Sequence, residues 1–352
     1  MPAYSIRTRG DDFEWQQNSR RVQWLSWPTL LLLAAIVAAA SQLFGKGDEF
    51  QQALPSQTMI ANTGTVKMIA FRPDGAMLLS VGVGGSMAIL DVAARRETPD
   101  GPQGAGRVRC AAFSADSRVL AVATATASGS LHDLVDHRSR TLNDVRPSTT
   151  GAACLAFSPD GATLAVGQED GRITLWDAAT GRNRSTLPGH TEFVASMAFA
   201  PAGTTLASSG SDLATRVWDL AAGREVLAIS SPTTAFVALA FSADGRLLCL
   251  GDLTSPAVQI WDVTRGVEHA ILSGPTGPVV AVGISPDGAT LAAADFRGAI
   301  TFWDLATLKR RSKRLWHAGV RSVAFAPGGR ALATGGFDGT IHLWPFPIAS
   351  DE

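Results

Sequence analysis

The chain has 352 residues, 46% hydrophobic and 17% charged, with 30 basic against 31 acidic side chains and a net charge of −1. That balance excludes a generally basic nucleic-acid binder, and the apolar share excludes wholesale disorder. The 35 glycines and 18 prolines suit many short strands joined by turns, while Cys110, Cys154 and Cys249 are too sparse for a disulfide framework or a zinc site and read as small buried hydrophobes.

Residues 1–23 form a polar N-terminal segment, within which 11–23 has the makings of a short interfacial helix. Trp24–Phe44 comes next and carries no charge over 21 residues. As a helix it spans about 31 Å, close to a hydrocarbon core of about 30 Å. Trp24 and Trp27 sit where amphipathic aromatics favour the membrane interface, and Pro28 falls in the first turn. The rival reading is a cleaved signal peptide with Ala38-Ala39-Ala40 as its processing site. The long preceding segment, with Asp11, Asp12 and Glu14, argues instead for an uncleaved anchor.

Arg7, Arg9, Arg20 and Arg21 precede the span, and only Lys46 lies close behind it. This asymmetry predicts a cytoplasmic N-terminus and an extracytoplasmic, periplasmic remainder on a single-pass protein of the inner membrane. Ala34/Ala38 and Ala35/Ala39 are small residues at a spacing that lets helices approach closely in lipid. The linker 45–55 reaches at most about 40 Å when extended, so the rest of the chain must stay near the bilayer.

From about residue 56 to 348 one pattern recurs seven times. An apolar strand ends at Phe71, Phe113, Phe157, Phe199, Phe241, Ile284 and Phe325, at intervals of 41–44 residues. A turn of the RPDG or SPDG kind succeeds it, then a second apolar strand, then a third ending at Leu90, His132, Trp176, Trp218, Trp261, Trp303 and Trp344. Pro fixes φ at the first turn position, Asp bonds back to the backbone and Gly accepts positive φ. Turn chemistry therefore accounts for Asp160, Asp244 and Asp287, which otherwise look like candidate acids. Units this small cannot bury a core alone, so neighbours must stack, and closing into a ring removes free sheet edges.

The WD dipeptides at Trp176-Asp177, Trp218-Asp219, Trp261-Asp262 and Trp303-Asp304, with their period near 42, resemble the WD-repeat β-propellers. The resemblance implies an all-β, seven-bladed WD-repeat β-propeller, here preceded by a single transmembrane α-helix. It also implies a structural tetrad at His190, Ser208, Asp212 and Trp218, with a fainter copy at His317, Thr334, Asp338 and Trp344. In the third repeat Val166 replaces the hydroxyl, in the sixth Arg297 replaces the carboxylate, and the first two lack the Trp, which predicts weaker blades on the N-terminal side. Only 345–352 remains after Trp344, with no fourth strand, whereas Gln57–Ile60 holds the register of Arg184–Leu187 and Asn62 that of His190. The N-terminal segment should therefore supply the outer strand of the last blade, leaving 349–352 as a tail.

Lys309, Arg310, Arg311, Lys313 and Arg314 crowd five bases into six residues at the rim of the sixth repeat, on the face from which the tether enters. They are candidates for contact with anionic headgroups or an acidic partner. No HExxH, GxSxG, Walker loop or dinucleotide fingerprint occurs, and the six histidines are scattered. The sequence thus implies no cofactor and no nucleic-acid partner. It predicts a non-catalytic scaffold that binds other protein subunits of a membrane complex and contacts the bilayer through Trp24–Phe44. An enzyme or ligand sensor using the central channel, and a cytoplasmic-facing signalling scaffold, remain the alternatives.

Overall fold

The computed structural model describes residues 57–60, 64–99, 106–124, 129–142, 152–231, 236–311 and 315–347. The predicted membrane helix 24–44 with its alanine pairs, the linker, Asn62, Lys313, Arg314 and the tail lie outside the described residues. Within them no helix is long and apolar enough to cross a membrane.

Every described element is a strand, and the strands form seven four-stranded antiparallel sheets, the blades. The first strands, each ending at the aromatic or isoleucine read from the sequence, are Val66–Phe71, Val108–Phe113, Ala152–Phe157, Val194–Phe199, Phe236–Phe241, Val279–Ile284 and Val320–Phe325. They touch one another around the ring and so form its inner wall. The second strands are buried on both faces: Leu78 packs toward blade 7 while Leu79 and Val81 pack toward blade 2.

Antiparallel order fixes two faces. The start of each first strand and the turn between second and third strands lie on one face, the top. The PDG-type turns and the turns after the third strands lie on the bottom. Ser114, Ser158, Ser242 and Ser285 each donate a hydroxyl hydrogen bond to the aspartate two residues on. Those bonds, before any other cause, hold Asp116, Asp160, Asp244 and Asp287 below the ordinary carboxylate range. The turn reading of Asp160, Asp244 and Asp287 is thus what the geometry shows. Ser117 takes the glycine position of its turn with φ of 63°.

The apolar core is divided among the gaps between blades, not inside them. Seven buried clusters join blades 1–2, 2–3, 3–4, 4–5, 5–6, 6–7 and 7–1 in turn, so the ring closes. The last gap needs strands from both ends of the repeat array. The clasp strand Gln57–Ile60 pairs antiparallel with Thr340–Pro345 and supplies the expected outer strand, but one residue out of the register read from the sequence: Met59 opposite Ile341, not Ile60, takes the place that Leu187 holds opposite Ile173 in blade 3. Its Met59 is 5% exposed and joins Leu343, Ile341 and Leu90 in the cluster between blades 7 and 1. The outer strands of blades 1 and 2 are short, Arg96–Glu97 and Ser139–Thr141, but so is Leu315–Trp316 of blade 6, where the sequence retains its Trp.

Candidate interaction surfaces

The tetrad of blade 4 forms completely. Trp218 Nε1 donates to Ser208 Oγ at 2.8 Å, Ser208 contacts His190 Nε2 at 2.8 Å, and His190 Nδ1 meets Asp212 Oδ1 at 2.8 Å. Ser208 can accept from the indole while donating to His190 Nε2, and His190 can donate to Asp212, only if His190 is neutral and carries its proton on Nδ1. Burial agrees, pushing the His190 imidazole below its usual range against the pull of Asp212.

Blade 7 reaches the same end with the ring reversed. His317 stands one residue off register, so Nδ1 takes the hydroxyl of Thr334 at 2.7 Å, and Trp344 Nε1 bonds that hydroxyl at 2.9 Å. Nε2 turns to Thr340 Oγ1 at 3.0 Å, which donates to Asp338 at 2.7 Å. Burial, then the neighbouring His342 stacked at 3.8 Å, pushes His317 down to about 4.

Blades 2, 3, 5 and 6 satisfy their polar groups locally, which the sequence does not foretell. Trp176 donates to Thr174 at 2.9 Å, Trp261 to Gln259 at 3.2 Å, and His132 Nε2 meets Ser130 at 2.7 Å. In all three the partner lies two residues earlier on the same strand. Arg297 of blade 6 is compensated by Asp295, which is fully buried and accepts from Thr276 N, Thr276 Oγ1, Arg297 N and Ala299 N. All these polar groups are engaged inside the blades and hold the fold.

The rim bases divide. Lys309 and Arg310 are exposed and Arg311 is partly buried, all on the bottom face after the third strand of blade 6. The stem of Arg310 comes close to Gly274 and Trp303, while Arg311 lies within electrostatic reach of Asp287 and Asp304. Three of the five bases therefore stand at the rim, one of them partly neutralised.

A second cationic group lies on the top face. Every first strand carries a β-bulge at its second residue: Lys67, Arg109, Ala153, Ala195, Val237, Val280 and Arg321. A bulge releases one residue from the ladder and re-aims its side chain. Lys67 is exposed although it sits on the innermost strand, and it reaches across to the next first strand at the top of the ring. Its Nζ donates to Arg109 O at 3.1 Å. Arg109 pairs with Glu169 from the top turn of blade 3, and Arg321 lies 5.3 Å over the Phe337 ring. Although the side chain is open to solvent, crowding around its head group comes first, with Arg109 and Arg321 adding to it, and holds the Lys67 ammonium below its usual range. The sequence signal was present, since bases occupy one position in three consecutive blades of the ring, 7, 1 and 2. Period-two reasoning cannot see a bulge, so the position looked like any other.

Cys110 and Cys249 are buried thiols that burial pushes up to about 12, and Cys154 is pushed up as well. Among the described residues no cluster of three or more His, Cys, Asp or Glu is disposed to hold a metal ion.

The family model described as "WD domain, G-beta repeat" (WD40) matches residues 130–177, 181–219, 266–304 and 310–345. Each match takes in one of the four most buried tryptophans, Trp176, Trp218, Trp303 and Trp344. A 55-residue stretch is 47% identical to "Probable serine/threonine-protein kinase PkwA" of Thermomonospora curvata, covering 15% of this chain and 7% of that protein. A 62-residue stretch is 37% identical to "Ciliary WD repeat-containing protein ctxp80" of Euplotoides octocarinatus, covering 18% of this chain and 8% of that protein. The matches span less than a tenth of either relative's length.

Proposed function

From the premise that this chain carries WD40 repeats closed into a seven-bladed β-propeller, we propose that it is a non-catalytic docking platform, an accessory or assembly subunit of a larger membrane complex. Propellers of this kind bind other proteins. The single observation behind the scaffold reading is the closed ring itself. Its seven inter-blade cores make one rigid disc, and the polar residues matching the repeat pattern are bonded inside it. Fold alone does not select the partner. The kinase-named relative matches over 55 residues only and brings no kinase activity to this chain.

The membrane part of the proposal comes from the sequence. Trp24–Phe44 has the length and polarity of a single span, and flanking arginines favour a cytoplasmic N-terminus with the propeller outside. The clasp strand enters from the bottom face, the face that also bears Lys309, Arg310 and Arg311. In this reading the bottom rim faces the bilayer or a membrane subunit and the top face is free. An anchor confines the platform to two dimensions and raises its effective concentration for neighbours.

Mild-detergent purification and identification of co-purifying proteins tests the reading. Stoichiometric membrane subunits are expected, and a clean monomer without partners overturns it. A reporter fused after Glu352 checks the side: periplasmic activity is expected, and cytoplasmic activity reverses the topology.

A further inference from the structure

We propose that the top mouth of the central channel, between blades 7, 1 and 2, is a binding site for a phosphate-class dianion held by Lys67 and Arg321 beside the Arg109–Glu169 pair.

The bulges supply the geometry. They take Lys67, Arg109 and Arg321 out of the ladder at the same register position on adjacent first strands, so three cationic residues line one arc of the mouth, with Lys67 in electrostatic reach of both Arg109 and Arg321. The other four bulge positions, Ala153, Ala195, Val237 and Val280, are small and apolar, which makes the aperture one-sided. Among the described residues Glu169 is the carboxylate that pairs with this group, through Arg109, leaving Lys67 and Arg321 uncompensated. Two free positive charges match a dianion.

The donors suit an oxyanion. Lys67 uses one N–H on Arg109 O, and two remain. Phe337 lies under the Arg321 guanidinium, among the described residues no acceptor takes its N–H fork, and Phe337 is itself braced edge-on by Phe296 at 5.5 Å. Bringing like charges together in a partly enclosed mouth is costly, and crowding around Lys67 and burial of Arg321 already hold both below their usual ranges. A bound dianion relieves that cost. The Arg109–Glu169 pair would then act as a wall that limits the charge the site accepts. This site does not depend on the docking reading, because inorganic phosphate needs no partner protein.

The test is calorimetric titration of the purified full chain with inorganic phosphate in chloride buffer. Saturable binding is expected, weakened about tenfold by Lys67→Gln and by Arg321→Gln, a loss typical of one charge-assisted contact. Lys309→Gln at the bottom rim should leave it unchanged. Glu169→Gln should tighten binding severalfold, which a purely structural role for these residues would not do. Phosphate should also slow acylation of Lys67, read by mass spectrometry on the unmutated protein, so the test survives any variant that fails to fold. A phosphoserine peptide that binds more tightly than inorganic phosphate, with its unphosphorylated twin inert, assigns the site to a protein partner. Phosphate binding without peptide binding assigns it to a free anion. Absence of saturable phosphate binding, or binding indifferent to Lys67, Arg321 and Glu169, overturns the proposal.

Discussion

Ser208→Ala is the sharpest probe of how the blades are held. Ser208 is fully buried, and its one oxygen serves two partners, accepting from Trp218 Nε1 and meeting His190 Nε2, each at 2.8 Å. Alanine removes little volume but orphans both nitrogens. At about 1–3 kcal/mol for each unsatisfied buried group, the loss is about 2–6 kcal/mol. The measurement is urea unfolding monitored by far-UV circular dichroism, with Ser230→Ala, on the exposed edge of the same blade, as the control expected within about 0.5 kcal/mol of the parent. The coupling is the stricter check. In a Trp218→Phe background one of the two orphans no longer exists, so the same serine change should cost about 1–3 kcal/mol less. If Ser208→Ala costs no more than Ser230→Ala, or if the two changes are additive, the hydrogen-bonded chain is not what stabilises the blade.

Three further outcomes are expected from the same geometry. His317 must stay neutral to accept from Thr334, and its pKa falls from the ordinary 6.5 to about 4, so the unfolded chain binds the proton more readily. Its stability contribution is complete above about pH 6.5 and drains away toward pH 4, costing about 2 kcal/mol at pH 5. His317→Gln should start less stable and flatten that part of the pH profile. Gly171 has φ of +85°, and a Cβ there would lie 2.2 Å from His190 O, whereas Gly223, at φ of +62°, has nothing within 4 Å. Gly171→Ala should therefore abolish folding or lower the melting temperature steeply, while Gly223→Ala costs only about 1 kcal/mol of backbone strain. Met59→Ala, in the sole well-buried side chain of the clasp strand, should cost about 2–5 kcal/mol in chemical unfolding, although it lies far from most of the ring in sequence.

The sequence made the ring legible because two kinds of marker recur together: an aromatic that ends each inner strand and an aspartate-glycine turn whose chemistry is local. The clasp was legible for the same reason, since Gln57–Ile60 keeps the spacing of an outer strand to within one residue. What escaped was whatever depends on rotamers or on a one-residue insertion. Val166 takes away the hydroxyl that the repeat pattern offers Trp176, but Thr174 reaches the indole from its own strand. His317 is one residue out of place in the pattern, but an imidazole has two nitrogens, and Thr340 bridges the distance to Asp338. The bulge row escaped because an alternating pattern counts residues and not their pairing. Of the contact residues read from the sequence, Lys309, Arg310 and Arg311 stand together at the rim, whereas Lys313, Arg314, Ala34, Ala35, Ala38 and Ala39 fall outside the described residues.

The clasp has a consequence for biosynthesis. Gln57 leaves the ribosome 286 residues ahead of its partner Leu343 (343 − 57). At translation speeds of about 5–20 residues per second, the first edge waits on the order of 15–60 s for its mate. Throughout that interval the nascent protein presents an unfinished border that a second nascent copy is equally equipped to complete. Crowded polysomes should thus favour exchanged dimers, and slow, dilute expression should favour the self-closed monomer.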